Sequence, residues 1–293
     1  MQYIEPIFRP PSEAKSLILQ VTNGCSWNNC TFCDMYTAPQ KKFKPTAIEE
    51  IEKVLKQAQP YQHQIKRIFL ADGDAMTLSV RRLTELLKLI KEYLPNVQRV
   101  SSYCLPRNLK NKSIEDLASL KELGLTLMYV GCESGDDLVL EKIKKGETYD
   151  SSLSALKKIK AAGMKSSVMI LNGMGGQQLS EQHAINSAKL MNAAQPEYLS
   201  TLVVSFPMGL ERTQEGFDQQ FTPLNQADLF KEIRLLIDNL QLDKTIFRSD
   251  HASNYLVLKG VLGKDKGSLL QKIDDAIHRP GSIPLREEWQ RGL

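Results

Sequence analysis

Short apolar runs alternate with amphipathic helical runs along most of the chain, and this alternation limits the fold more than any other feature. The apolar runs are nearly continuous, as in Ile68-Phe-Leu-Ala71, which is typical of parallel strands covered on both faces. Six strand–helix units in a row predict right-handed crossovers and an α/β layer fold. The predicted strands are 17–22, 67–71, 99–103, 126–130, 167–171 and 198–204. The predicted helices are 46–59, 79–93, 113–123, 150–162 and 180–193.

Two of these helices carry recognisable start signals. Ser113-Ile-Glu-Asp116 has the pattern of a capping box, and Asp150 or Ser151 is expected to cap the helix that follows it. Beyond residue 220 the regular alternation stops. The predicted elements there are a helix at 225–240, a strand at 244–248 and a helix at 268–277. We therefore expect a core over residues 1–220 and a C-terminal α/β extension over 221–293 that packs on it.

The charge and the hydropathy of the chain argue against a nucleic-acid-binding, a membrane-spanning or a secreted protein. The chain has 293 residues and a net charge of +4, with its lysines and arginines scattered. That mild charge fits an anionic small molecule, and nucleic acid is an unlikely partner. No apolar run approaches the roughly 20 residues of a membrane helix, and the first eleven residues are too polar for a signal peptide. A cytoplasmic protein without a membrane partner is expected, and the oligomeric state is left open.

Three of the five cysteines lie within nine residues, directly after the first predicted strand. A secreted disulfide framework would spread them differently, so Cys25, Cys30 and Cys33 are interpreted as metal ligands. Three thiolates can each bind one iron of a [4Fe–4S] cluster, which leaves the fourth iron open for a ligand. The alternative is a zinc site with a fourth ligand elsewhere, although no second Cys-x-x-Cys pair is present.

The cysteine segment resembles that of the radical S-adenosylmethionine (SAM) enzymes. That family has a C-x3-C-x2-C loop after its first strand, with an aromatic residue before the last cysteine, which is Phe32 here. One extra residue makes the spacing C-x4-C-x2-C, a change that a loop can absorb at small closure cost. The resemblance implies a partial (β/α)6 TIM-like barrel with a parallel sheet, and the cofactors [4Fe–4S] and SAM.

Two later segments extend the resemblance. Asp72-Gly73-Asp74 follows the second strand and is similar to the family's Gly-Gly-Glu segment, which binds the amino group of SAM. Gly131-Cys-Glu133-Ser-Gly135 resembles a stretch of the subgroup with oxygen-independent coproporphyrinogen oxidases, elongator-type proteins and methylthiotransferases. By this resemblance Glu133 contacts the ribose or methionine end of SAM, and Lys145 pairs with the SAM carboxylate.

The fifth strand ends in Asn172-Gly173, which is like the family segment that hydrogen-bonds adenine. The resemblance implies an enzyme whose reduced cluster donates an electron to SAM. Methionine and a 5′-deoxyadenosyl radical result, and the radical abstracts hydrogen from the substrate. Flavodoxin or ferredoxin is the expected electron donor. Whether SAM is consumed or regenerated is not fixed by the sequence.

Four further residues are candidates for substrate binding. Cys104 and Arg107 follow the third strand, and Arg107 has the fork geometry that binds a carboxylate or phosphate. Arg248 and His251 belong to a dense polar run in the extension. A small-molecule substrate is favoured because the extension lacks a basic and aromatic nucleic-acid surface. Radical modification of a tRNA or protein, and a non-catalytic zinc-binding interaction protein, remain alternatives.

Overall fold

The structure, a computed structural model, describes residues 3–279 and 281–291. The strands are β1 (Leu17–Gln20), β2 (Thr22–Asn23), β3 (Lys44–Pro45), β4 (Arg67–Ala71), β5 (Arg99–Cys104), β6 (Leu125–Glu133), β7 (Lys165–Asn172), β8 (Tyr198–Val203), β9 (Ile246–Ser249) and β10 (Leu258–Val261). The helices are α1 (Ile48–Ala58), α2 (Val80–Tyr93), α3 (Ile114–Glu122), α4 (Asp137–Lys142), α5 (Tyr149–Ala161), α6 (Gly176–Ala194), α7 (Glu211–Gly216), α8 (Gln226–Asn239) and α9 (Lys266–His278).

The chain divides into two compact units that exchange segments. The first unit consists of Met1–Asn28, Met35–Gly131 and Ala155–Ser166. The second consists of Asn29–Asp34, Cys132–Ser154 and Ser167–Leu293. The cysteine loop and β6 each contribute residues to both units. The predicted boundary at residue 220 stays a prediction.

The first unit is built on four parallel strands in the order β1, β4, β5 and β6. Phe69 and Leu70 in β4 are completely buried, as the continuous apolar run requires. Helices α1 and α2 bury Leu55 and Leu87 on one face each, and burial of such a side chain stabilises the fold by about 1.5–3 kcal/mol. A small antiparallel pair, β2 with β3, brackets the first cysteine.

The second unit continues the parallel pattern with β7, β8 and β9, and β10 runs antiparallel to β9. Helix α8 packs between α6 and α9. A separate apolar cluster unites α4, α7 and the end of β7. It contains Val139, Leu140, Ile143, Leu171, Met174, Phe217 and Phe221.

The expectation of a mostly parallel α/β fold is confirmed. Each predicted strand is present within about three residues of its expected limits, and the Ser113 capping box forms with Asp116. The expected cap of α5 is wrong, because Thr148 occupies that place: the Thr148 amide donates to Ser151 Oγ, and the Ser151 amide donates back to Thr148 Oγ1. Helix α6 begins at Gly176, and α4, α7 and β10 were not predicted. No helix in the described part of the chain is long and apolar enough to cross a membrane.

Candidate functional site

The cysteine loop, residues 24–38, follows β2 and has no helix or strand. Cys25, Cys30 and Cys33 are half-buried and none is in a disulfide. The amide of Cys33 donates to the carbonyl of Cys30 at 3.4 Å, so residues 30–33 form a tight turn. Within residues 3–279 and 281–291, no three His, Cys, Asp or Glu side chains are grouped to hold a metal ion.

In the first unit, Asp74 is tied to the start of this loop. Its Oδ2 accepts hydrogen bonds from the amide of Ser26, at 3.2 Å, and from the Ser26 hydroxyl. The side chain is fully buried, and its Oδ1 has no hydrogen-bond partner among the described residues. Burial raises the pKa of Asp74, and the bonds from Ser26 oppose that rise. Asp74 therefore combines an anchored oxygen with a buried acceptor that lacks a donor.

Asp72 is bound differently from its neighbour. Its carboxylate pairs with the ammonium of Lys41, and both side chains are 0% exposed. Burial raises the pKa of Asp72, while the Lys41 charge lowers it. Between the two acids, a Cβ on Gly73 would lie 2.5 Å from the ring of Tyr36, so only glycine fits there. This close approach explains the middle residue of the motif.

Arg107 lies against the cysteine loop. Its guanidinium stacks on the ring of Trp27, 3.7 Å from the centroid, and its charge is among the causes that lower the pKa of Asp74. Such stacking contributes about 0.5–2 kcal/mol. Cys104 is buried and its thiol donates to the Leu105 carbonyl at 3.4 Å. The first unit therefore brings Arg107 beside Asp74, whereas Cys104 is a core residue.

In the second unit, Arg212 of α7 holds the other end of the loop. Its Nη1 donates to the Cys33 carbonyl at 2.8 Å and to Asp34 Oδ1 at 3.1 Å, and its Nη2 donates to the Cys30 carbonyl at 2.8 Å. The hydroxyl of Thr213 donates to the Thr31 carbonyl at 3.4 Å. Sequence reasoning missed Arg212, and no local signal marks it, because the contacts span about 180 residues.

Glu133 and Lys145 form a buried ion pair in the second unit, with Nζ 2.9 Å from Oε1. Glu133 has a left-handed backbone, with φ of 64°, which costs free energy in a non-glycine residue and clusters at functional sites. Burial acts to lower the pKa of Lys145, but the charges of Glu133, Cys30 and Cys33 outweigh it and hold that pKa above its usual range. The lysine is therefore a buried cation paired with Glu133.

Asn172 and Gly173, at the end of β7, contact α8. The Asn172 amide donates to the Leu229 carbonyl at 3.2 Å, and the Gly173 N–H donates to Glu232 Oε1 at 2.5 Å. Glu232 also accepts from Ser180 Oγ at 2.6 Å, and burial raises its pKa. Glu232 was not predicted, and it positions the backbone of the segment expected to bind adenine.

The remaining predicted residues divide into core and surface. Phe32 packs against the apolar cluster of the second unit. Arg248 is exposed and donates to the carbonyl of Phe247 at 3.0 Å. His251 is half-buried, accepts the amide of Ser253 at 3.1 Å, and has a pKa lowered by burial and then by Arg286. These contacts are structural, and a substrate role for the four candidates stays a prediction.

The comparisons with known proteins decide the family. The family model described as the radical SAM superfamily matches residues 19–188, more than half of the chain. The chain belongs to the radical SAM superfamily. The resemblance carried by the cysteine loop and its following motifs is thereby confirmed, and with it the expected cofactors of the family, a [4Fe–4S] cluster and SAM.

Curated relatives match part of the chain. The heme chaperone HemW of Bacillus subtilis is 26% identical over 182 residues, which is 59% of this chain and 47% of that protein. An uncharacterized methyltransferase of Pyrococcus horikoshii is 28% identical over 147 residues, 50% of this chain and 30% of that protein. The chain thus spans about half or less of the length of these relatives.

Solved structures confirm the fold. Coproporphyrinogen III oxidase (HemN) from Escherichia coli superposes with a TM-score of 0.57 and 15% identity, over 76% of this chain and 52% of that one. Methylornithine synthase (PylB) gives a TM-score of 0.51 and 16% identity, over 93% of this chain and 74% of that one. The partial TIM-like barrel expected from the sequence is therefore correct.

The donor chemistry of the residues present fits the family's cofactors, although the three thiols are not grouped around a metal position in the described residues. Three thiols outside any disulfide on one loop supply the soft donors that iron–sulfur clusters take. The buried Oδ1 of Asp74 has no hydrogen-bond partner in the described part of the chain, which suits an incoming ammonium group. Family membership favours this chemistry over the zinc site that the cysteine spacing alone left open.

Proposed function

We propose that this chain is a radical SAM enzyme that cleaves SAM reductively and acts on a small-molecule substrate. The observation that carries the proposal is the tie between Asp74 and Ser26, which joins the acid of the SAM motif to the residue after Cys25. A motif acid and a cluster ligand are thereby fixed next to each other in the same unit. The cysteines Cys25, Cys30 and Cys33 would hold the cluster.

When bound, the cluster supplies the electron that splits SAM into methionine and a 5′-deoxyadenosyl radical. The chain's own task is to bind and orient SAM. Asp74 offers its buried oxygen to the SAM ammonium, and Lys145 offers its charge to the SAM carboxylate while it stays in contact with Glu133. The backbone at Asn172 and Gly173, held by α8, is proposed to border adenine.

Arg107 is proposed to face the substrate. Its guanidinium plane is fixed by Trp27, and a planar fork recognises a carboxylate or phosphate through two parallel hydrogen bonds. An anionic metabolite agrees with the net charge of +4. Modification of a tRNA or protein uses the same radical, so product analysis with each substrate class separates the two. A reducing compartment, such as the cytoplasm, is part of this proposal.

Anaerobic reconstitution with iron and sulfide tests the central claim. We expect a brown protein that forms 5′-deoxyadenosine when SAM and dithionite are added, and we expect loss of both properties in Cys30→Ala. A colourless protein that binds one zinc ion and has no affinity for SAM would instead establish the zinc-binding alternative. The reconstituted enzyme can then be given fractions of cell extract to find the substrate.

Asp74→Asn tests the proposed ammonium contact. Asparagine keeps an acceptor oxygen for Ser26 but removes the charge, and a hydrogen bond to a charged group contributes about 1.5–3 kcal/mol. We expect SAM to bind about 10- to 100-fold more weakly, with unchanged iron content. Asp243→Asn, at an exposed residue, is the control. Equal SAM affinity in both variants would remove Asp74 from the binding site.

A further inference from the structure

Three consecutive exposed residues, Lys42, Phe43 and Lys44, lie beside the first cluster ligand and form the Lys-Phe-Lys surface. We infer that this surface is the docking site for an acidic electron-transfer protein that reduces the cluster. The inference rests on the proposed function, since only a redox cluster needs such a partner. It adds where the electron enters and what chemistry the partner presents.

The backbone of this surface lies against Gly24, the residue before Cys25. Strand β3 pairs with β2 so that Lys44 lies opposite Asn23. The next residue, Gly24, has φ of 69°, and a Cβ there would lie 2.0 Å from the Lys41 carbonyl oxygen and 3.3 Å from the Phe43 amide. The two backbones therefore touch one residue before Cys25. A donor seated on the Lys-Phe-Lys surface reaches the ligand through a short path of bonded and contacting atoms.

The platform under this surface is fixed before any partner arrives. The Asn23 side-chain amide donates to the carbonyls of Gln40, at 2.6 Å, and Lys42, at 3.0 Å. Lys41, between them, points inward and is buried with Asp72. Lys42 and Lys44 are exposed, whereas Lys41 anchors the segment. A pre-ordered surface loses little entropy on binding, which suits a contact that must form and dissolve at each turnover.

Charge and shape indicate the chemistry of the partner. Lys42 and Lys44 are both positive, and the next acids along the chain are Glu49 and Glu50 in the first turn of α1. Phe43 lies between the two charges and is 36% exposed. A basic rim steers an acidic protein, and a central aromatic residue provides the apolar contact. Weak redox complexes bury small surfaces, so a patch of this size is sufficient.

An RNA partner is the less favoured occupant of this surface. Two exposed lysines neutralise few phosphates, and nucleic-acid affinity depends on many such contacts. The contact of this surface with Gly24, next to Cys25, would help an electron donor to reach the cluster, whereas RNA binding does not require it. In the proposed step one electron leaves the donor, which is oxidised, and enters the cluster, which is reduced. No proton or group is transferred with it.

The test uses the reconstituted enzyme and purified reduced flavodoxin, which is acidic. The double variant Lys42→Glu/Lys44→Glu and the single variant Phe43→Ala are compared with the control Lys53→Glu/Lys88→Glu, which changes the same net charge on α1 and α2. Flavodoxin affinity is measured by calorimetry, and cluster reduction by stopped-flow absorbance. We expect the charge variant to lose at least tenfold in both at low salt, and Phe43→Ala to lose affinity at every salt concentration.

Four outcomes separate the hypotheses. If dithionite drives SAM cleavage in every variant while flavodoxin fails only with the Lys-Phe-Lys variants, both the function and the surface are supported. If flavodoxin binds and reduces all variants equally, the surface is wrong and the function stands. If dithionite produces no 5′-deoxyadenosine in the wild type, the proposed function itself fails. Binding of bulk tRNA in place of flavodoxin, lost in the charge variant, would also overturn the docking inference.

Discussion

Replacement of Arg212 is expected to loosen the cysteine loop without unfolding the chain. Arg212 is the side chain of α7 that bonds the carbonyls of both Cys30 and Cys33, so it fixes the spacing of the last two proposed cluster ligands. Methionine keeps the length and the apolar stem but removes all three hydrogen bonds. Lysine keeps the charge but, as a single ammonium, cannot reproduce the fork that spans two carbonyls.

The size of the effect follows from the contacts. Each hydrogen bond from a charged donor contributes about 1.5–3 kcal/mol when it is buried. The Arg212 side chain is 39% exposed, so water replaces part of this interaction and reduces its value. We therefore expect the free-energy difference between the closed and the open loop to fall by about 1.5–3 kcal/mol, which is roughly half the contribution of two such hydrogen bonds. That loss equals about a 10- to 100-fold change in the population of the open loop.

Hydrogen exchange of residues 29–34 and the rate of cluster loss to a chelator measure this change. We expect Arg212→Met to exchange and lose iron about 10- to 100-fold faster, following the estimate above, with Arg212→Lys between it and the wild type. Arg279→Met is the matched control, since that arginine binds Asp275 on the surface. If Arg212→Met retained iron and exchanged its loop amides like the control, the proposed clamp would be wrong.

Two further predictions concern buried charges. Lys41→Met leaves Asp72 without its cation, so we expect the free energy of unfolding in urea to fall by about 3–5 kcal/mol. Adding Asp72→Asn to the same chain should restore part of that loss. A fall below about 1 kcal/mol would show that the pair contributes little stability. Burial raises the pKa of the Glu232 carboxyl group, which lies beside His183, above its ordinary 4.5. The folded state therefore binds the carboxyl proton more tightly than the unfolded state does. The stability that this proton contributes is present at low pH and is lost as pH rises through the raised pKa. Glu232→Gln should remove that loss, and parallel slopes of unfolding free energy against pH for variant and wild type would contradict the reasoning.

The parts of the fold that could be predicted from sequence are those with a local cause. Strand β4 was located to the residue because Ile68-Phe-Leu-Ala71 is a continuous apolar run, and the Ser113 box needs only the residues within one turn. The cap of α5 failed because Thr148, Asp150 and Ser151 all suit a cap, and only the reciprocal bonds identify the first. Strand β10 was missed because it is short and has Gly260 within it.

The contacts of the candidate site depend on residues that are far apart in sequence. Motif comparison located Glu133 and Lys145 but gave no sign that they pair with each other. It gave no sign of Arg212 or Glu232 either, because each acts on backbone groups that any residue could supply. When a side chain binds a backbone carbonyl or amide, its partner can be any residue type. The sequence therefore carries no complementary pair that would reveal the contact.

The three acids of the SAM motifs differ in how the protein neutralises them, and this difference indicates their order of importance for the ligand. Asp72 has Lys41, and Glu133 has Lys145, so each is compensated before SAM binds. At Asp74, Ser26 donates to one oxygen and the Arg107 charge acts to lower the pKa, but the other oxygen has no hydrogen-bond partner among the described residues. An unsatisfied buried acceptor costs about 1–3 kcal/mol. A cationic ligand that fills this place recovers that cost. We therefore expect the ammonium of SAM to be recognised at Asp74.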